Sequence, residues 1–238
     1  LMNAGPVLWI GRAQERAARW SVAAGAAGWQ GQALPLIQTE ALPLSAVDQA
    51  LLSGLKESDT LFLTSVQAVA RFKEFITVCD VMPSCSVAVV GPATANAAVE
   101  ALSGVEPDFI APQHTGESLA RLFLASKPSA QAKRVFLGAK HPNPDLGEAL
   151  AAAGLPLIYV AAYHVLGIPG PPPPRGELVL LFSPSGVFSL LDRVEQVSAH
   201  PVLAVGPTTA AAVKKHGFPL RGVLASPTPS SLTAFLKQ

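Results

Sequence analysis

Cysteine, charge and long apolar runs are all scarce in this chain, and each scarcity removes a class of function. Of 238 residues only 2 are cysteine, Cys79 and Cys85. Two are no disulfide framework, and the five residues between them match no metal-ligand spacing. They read as ordinary reduced thiols, for which a cytoplasmic location is the simplest. Charged side chains make up 14%, 17 Lys plus Arg against 16 Asp plus Glu. A general nucleic-acid binder needs a strong basic excess, so no nucleic-acid partner is expected, although a local basic cleft is not excluded. A mean hydropathy of +0.38 with so little charge is the reverse of the disordered signature.

That hydropathy comes without a membrane span. The longest uncharged stretches are 21–39, broken by Gln30, Gln32, Pro35 and Gln38, and 149–174, broken by Pro156, His164 and the run Pro171 to Pro174. A spanning helix wants about 20 continuous apolar residues. Residues 1–5 lack a basic segment and 7–10 are too short an apolar run for a leader, so none is expected. Also missing are GxGxxG, a Gly-rich loop with GKS, HExxH and CxxC, which counts against a dehydrogenase, an NTPase or a zinc hydrolase. His141 and His164 stand apart from any Cys or Asp cluster, so no metal site is read. Met2, Met82, Trp9, Trp20 and Trp29 read as packing residues.

What is present is a regular alternation. Short β-branched and leucine-rich runs bounded by Gly, Pro or Ser read as strands at 7–11, 33–37, 60–64, 86–90, 108–111, 134–137, 157–163, 178–182, 202–205 and 222–225. Between them, alanine- and leucine-rich segments with helical spacing include 66–77, 94–102, 116–126, 145–153, 187–197 and 208–215. Such alternation predicts parallel sheets covered by helices. The length allows one large domain or two small ones.

An internal repeat decides between those. Val89-Val90-Gly91-Pro92-Ala93-Thr94-Ala95 recurs as Ala204-Val205-Gly206-Pro207-Thr208-Thr209-Ala210, an offset of 115. Upstream, Leu63-Thr64-Ser65 corresponds to Leu181-Phe182-Ser183, an offset of 118. Downstream, Ile110-Ala111-Pro112 corresponds to Ala225-Ser226-Pro227. A strand–helix–strand unit precedes each copy, so the order is A, B, A′, B′. One topology follows if the chain leaves a first domain after A, builds a second and returns to finish the first. The proline run after Pro169 then reads as an extended surface connection.

The paired Val-Gly-Pro-x-Thr-Ala segments, the paired strand-to-Ser turns and a crossing strand carrying Tyr163 together resemble the uroporphyrinogen-III synthase family. The likeness runs from Val7 to Leu236 and is closest in Phe182-Ser183-Pro184-Ser185-Gly186, Ala204 to Ala210 and Ser226-Pro227-Thr228-Pro229. It implies two flavodoxin-like parallel-sheet α/β domains joined by a two-stranded linker, the first domain discontinuous. In this sequence that gives 1–37 with 168–238, then 44–161, with linker strands at 38–43 and 162–167. The resemblance also implies an active site in the cleft between the domains. The reaction would be a metal-free, cofactor-free cyclisation of hydroxymethylbilane, a linear tetrapyrrole, to uroporphyrinogen III, with loss of water and inversion of the last ring. No assembly stripe is present, so a monomer is expected.

That chemistry asks for positioning and for differential binding of a transition state. Tyr163 would donate a proton or hydrogen bond to the leaving hydroxyl; otherwise it packs the linker. Substrate carboxylates would meet Gly91 and Gly206 at helix starts, Thr94 and Thr209, which could equally be helix N-caps, and the strand-end hydroxyls Ser65 and Ser183. Arg12 and Lys140 would supply cations, with Arg16 and Arg71 also near such junctions. The sequence departs from many relatives at Gly138-Ala139, where they carry arginine. The same scaffold would also suit a two-lobed protein that binds an anionic small molecule without turning it over.

Overall fold

The computed structural model describes residues 5–82 and 84–238. Met2, and all but the last of the residues 1–5 read for a leader, lie outside them. The chain opens with β1 (Val7–Ile10), α1 (Gln14–Gly25), β2 (Gln30–Ala33) and β3 (Ile37–Ala41). It continues through α2 (Ala46–Ser53), β4 (Thr60–Leu63), α3 (Val66–Cys79), β5 (Ser86–Val90), α4 (Pro92–Ala101), β6 (Phe109–Ala111) and α5 (Gly116–Ala125). Then come β7 (Arg134–Ala139), α6 (Asp145–Ala152), β8 (Ile158–Gly167), β9 (Leu178–Leu181) and α7 (Pro184–Leu191). The last elements are β10 (Val202–Ala204), α8 (Pro207–Lys215), β11 (Leu220–Val223) and α9 (Pro229–Leu236).

These elements form two compact units, one from the residues up to Gln38 with Leu166–Gln238, the other Thr39–Val165. In the discontinuous unit the sheet order is β2-β1-β9-β10-β11, and every pairing is parallel. That is the flavodoxin-like 2-1-3-4-5 order. In the continuous unit the order is β8-β7-β4-β5-β6, with β3 outside β8. Here the same spatial order is circularly permuted, because the chain enters at the third strand of the pattern and reaches the first two last. The central strands are buried on both faces, as expected of a parallel sheet covered by helices: β4 and β9 expose no residue on either side.

The two faces of each sheet carry separate cores. In the continuous unit Leu61, Leu63, Phe72 and Leu137 form one cluster, and Phe62, Phe123, Phe136 and Leu150 the other. In the discontinuous unit Leu8, Ile10, Trp20 and Leu180 face one way, and Val179, Leu181, Leu190 and Val213 the other. Alternate residues of a strand point to opposite faces, which is why Leu61 and Phe62 part company.

Three sequence expectations shift. The strand expected at 33–37 straddles a break, since Pro35 has no N–H for a ladder and the paired strand is the polar β2 before it. Gly31 makes that polar strand possible: a Cβ there would lie 2.5 Å from Ser21 Cα of the covering α1. The helix expected at 187–197 starts three residues earlier, where Ser183 caps it and Pro184 fits the first turn, and ends at Leu191. Strand β11 lies two residues ahead of the expected 222–225, its Leu220 in register with Val202.

Candidate functional site

In open α/β sheets, ligands sit beyond the carboxyl ends of the strands where the order reverses. In the continuous unit that place is between β7 and β4. Strand β4 leads into Thr64-Ser65, and Ser65 (φ −153°, ψ 155°) caps α3 by accepting the Ala68 amide at 3.0 Å. The same Oγ lies 2.8 Å from the Tyr163 phenol oxygen.

Tyr163 reaches that position through a β-bulge. The β7–β8 register pairs Gly138 with Ala161 but Ala139 with Tyr163, leaving Ala162 as the extra residue. An uninterrupted strand would put Tyr163 on the face opposite Val160 and Ala162. The bulge turns it onto their face, so that Val160, Ala162 and Tyr163 share the cluster containing Leu61 and Leu63. Tyr163 is 7% exposed. Burial pushes its phenol above the ordinary value, and the Ser65 hydrogen bond partly opposes that rise.

Lys140 follows β7, and its backbone amide donates to the Tyr163 carbonyl at 2.8 Å. Its side of the strand ends holds a cavity of about 350 Å³, lined by Phe136, Lys140, Pro142, Pro144 and Tyr159 among others. Arg71, read as a cation for substrate, is instead spent on the chain crossing. Its Nε donates to Ala162 O and its Nη2 to Leu42 O, both at 3.0 Å, and Nη1 pairs with Glu74. Arg193, which the sequence reading passed over, makes the corresponding bonds in the other unit, to the carbonyls of Ile168 and Pro35. A nearby cation six or ten residues beyond a strand-end serine was the only signal for this pair.

The discontinuous unit has its order reversal between β1 and β9. Ser183 (φ −157°, ψ 157°) repeats the Ser65 cap, accepting the Gly186 amide at 3.3 Å. Arg12 follows β1, and its guanidinium carbon lies 4.0 Å from the centroid of the Phe182 ring. Trp20 meets the same ring edge-on at 4.8 Å. Burial first, then Arg19 and Arg16, lower the Arg12 pKa to about 10. Among the described residues the salt bridges are Arg71–Glu74 and Arg121–Glu117, so Arg12 is a half-desolvated cation without a carboxylate.

The two Gly-Pro-x-Thr turns open α4 and α8 with proline at N1. Gly91 and Gly206 are themselves the N-caps, so Thr94 and Thr209 are not; a threonine three residues past the cap lies in the first turn. Both threonines are buried, yet neither hydroxyl is among the buried polar atoms lacking a partner. The glycines differ. Gly91 sits at φ +76°, and a Cβ there would meet the His114 ring at 3.1 Å, whereas Gly206 has extended backbone and open space.

His141 and His164 stack edge-on at 5.7 Å. Among the described residues no group of three His, Cys, Asp or Glu could hold a metal, and no helix is long and apolar enough to cross a membrane.

Fold and strand-end geometry together define a doubly wound α/β protein of two interleaved units, with hydroxyl-capped helices and a phenol or a guanidinium where each sheet order reverses. Residues 18–234 match the family described as uroporphyrinogen-III synthase HemD. The chain belongs to that family, whose members are enzymes of haem biosynthesis. A mutant uroporphyrinogen III synthase from Thermus thermophilus superposes with a TM-score of 0.71 at 19% identity, covering 98% of each chain. The wild-type Thermus protein in another crystal form gives 0.53 at 19%, over 98% of this chain and 96% of that one. The uroporphyrinogen-III synthetase of Helicobacter pylori 26695 gives 0.60 at 14%, over 97% of each.

Proposed function

We propose that this chain is a hydro-lyase that closes hydroxymethylbilane to uroporphyrinogen III, inverting the terminal pyrrole, with Tyr163 as the group that assists departure of the hydroxyl. The observation that carries this is the bulge-directed phenol of Tyr163, seated on Ser65 where the strand order reverses. Loss of water from the substrate leaves an azafulvene cation. The substituted carbon of the last pyrrole attacks it, and the resulting spiro intermediate fragments and recloses. A neutral, buried phenol suits the first step, because it can donate a proton to oxygen without bringing a negative charge to the ground state.

The rest of the proposed site binds. Arg12 and Lys140 take substrate carboxylates as cations. The first-turn backbone amides of α4 and α8, past Gly91 and Gly206, take others. Ser183, Thr94 and Thr209 supply hydroxyls, and Ser65 is placed next to the reacting phenol. Binding to neutral amides is compatible with a net charge of +1 in a protein for a ligand of eight carboxylates. In this reading residues 1–37 with 168–238 and residues 44–161 act as two domains, with 38–43 and 162–167 as linker. The enzyme works in the cytoplasm as a monomer on a small-molecule linear tetrapyrrole, without metal, cofactor, nucleic acid or membrane.

The test is to supply hydroxymethylbilane and separate the product isomers. Isomer III is expected from the intact chain, and exclusive formation of isomer I, the unassisted product, overturns the reading. Tyr163→Phe should lower kcat by about 10²-fold or more, the usual range for losing a general acid, with little effect on product affinity.

A further inference from the structure

The Ser65 hydroxyl is asked to do two things at once. It accepts the Ala68 amide at 3.0 Å, and it lies 2.8 Å from the phenol oxygen of Tyr163. A serine hydroxyl has one proton to give and two lone pairs. With one lone pair engaged by Ala68, two arrangements remain. Tyr163 donates into the second lone pair, or Ser65 donates its own proton to the phenol oxygen. While the phenol is neutral, both are allowed. Once the phenol has lost its proton only the second survives, and it then becomes a charge-assisted bond, stronger than the neutral one. The contact therefore favours the ionised phenol over the neutral one, against the burial that disfavours it.

We propose that Ser65 is a positioning residue, donating to the Tyr163 oxygen so that the tyrosine's own O–H turns away from α3, and stabilising the phenolate left when that proton departs. This deepens the reading above and rests on Tyr163 being the proton donor. In the step concerned, the Tyr163 O–H bond breaks and its proton joins the substrate hydroxyl. The carbon–oxygen bond then breaks with its electron pair staying on oxygen, which leaves as water. Tyrosinate and azafulvene cation remain. The proton lost from the pyrrole carbon at final ring closure restores the phenol, so no acid is consumed.

The repeat provides an internal control. Ser183 makes the same cap with nearly the same backbone angles, accepting the Gly186 amide. Its own unit contains no tyrosine, since Tyr159 and Tyr163 both belong to the other. Capping a helix thus accounts for the serine in both copies but not for the tyrosine contact. Arg71, Lys73, Glu74 and Cys79 on α3, Arg134 on β7 with Lys140 and His141 after it, and Tyr159 and His164 on β8 are the titratable groups on the neighbouring elements, and they are the same in the Ser65 and Ser183 variants compared.

The chain has only 2 tyrosines, so the test is direct. Both are replaced by 3-fluorotyrosine, which brings the phenol ionisation into an accessible pH range and reports it by ¹⁹F NMR; Tyr159→Phe assigns the two signals. Relative to the parent chain, Ser65→Ala should raise the Tyr163 pKa by about one unit, a tenfold loss of acidity. Ser65→Thr, which keeps both hydroxyl and cap, should restore it, and Ser183→Ala, which loses a cap of the same kind, should leave it in place. In the unlabelled chain Ser65→Ala should lower kcat about tenfold with KM little changed. An unmoved Tyr163 signal in Ser65→Ala, or an equal shift in Ser183→Ala, overturns the positioning role. A shifted signal with unchanged kcat retains the hydrogen bond but overturns its part in turnover. Loss of isomer III formation by the parent chain itself would instead count against Tyr163 as donor, whatever the titration shows.

Discussion

The sharpest energetic contrast lies between two glycines that occupy equivalent places in the repeated motif. Gly91 holds φ +76° and ψ 166°, a region open almost only to glycine, and a Cβ there would lie 3.1 Å from the His114 ring. Placing an L side chain in such a conformation costs about 1–3 kcal/mol, and the tight ring contact adds to it. Gly206 has φ −154° and ψ 170°, extended backbone that any residue adopts, and a Cβ there would meet nothing within 4 Å. There alanine is a poorer N-cap by about 0.5 kcal/mol, offset by a similar gain from a less flexible unfolded chain. Gly91→Ala should therefore lose about 2–3 kcal/mol and Gly206→Ala about none. For a chain of this size that is a fall in Tm of roughly 4–12 °C for the first. The assay is thermal unfolding followed by circular dichroism, with hydrogen exchange at α4 and α8 to assign each loss to its unit. Equal shifts in the two variants, or a larger one for Gly206→Ala, would refute the reasoning.

Arg12→Met removes a half-desolvated cation that has the Phe182 ring and, among the described residues, no carboxylate in a salt bridge with it. Stability to urea should stay level or rise, while KM for hydroxymethylbilane rises about tenfold or more; lower stability with unchanged KM would make Arg12 a packing residue. Arg71→Ala takes the bonds from the Leu42 and Ala162 carbonyls and should cost about 2–4 kcal/mol in urea unfolding, since bonds to charged groups are worth about 1.5–3 kcal/mol each. Arg71→Lys should recover less than half, because one ammonium cannot span both carbonyls as the guanidinium fork does. Tyr163, raised above its ordinary value by burial, keeps its proton in the folded chain where the unfolded chain loses it. Its contribution is intact below about pH 10, the unfolded value, and is lost as pH rises through the folded one. No fall in kcat from this group is expected below about pH 10, and an alkaline limb centred near pH 8 in the kcat profile would contradict a buried phenolic donor.

The repeat made the architecture legible. Two copies of a strand, a serine-capped helix and a Val-Gly-Pro-x-Thr turn can only be two parallel-sheet units, and their A, B, A′, B′ order makes one unit discontinuous. The repeated motif also made the first-turn prolines Pro92 and Pro207 readable. The caps were not: they fall on Ser65, Ser183, Thr115 and Thr228, whose hydroxyls accept amides of the helices that follow, and not on Thr94 or Thr209. Polar β2 was less legible, because an edge strand of Gln and Gly depends on α1 approaching closely over Gly31.

The sequence by itself determined the number of units, their interleaving and the chemical types gathered at the strand ends, since all of these follow from short-range periodicity and a repeated motif. Tertiary structure decided what those types do. Alternation along β8 would have turned Tyr163 away from Ser65, and one extra residue in the β7–β8 register reverses its face. Arg71 looks like a substrate cation until the two crossing segments bring the Leu42 and Ala162 carbonyls to it. Gly91 and Gly206 are the same letter in the same motif, and only the approach of His114 and the local backbone make one indispensable. In each case the deciding partner is distant in sequence, so the energy that selects the role appears only when the chain has folded.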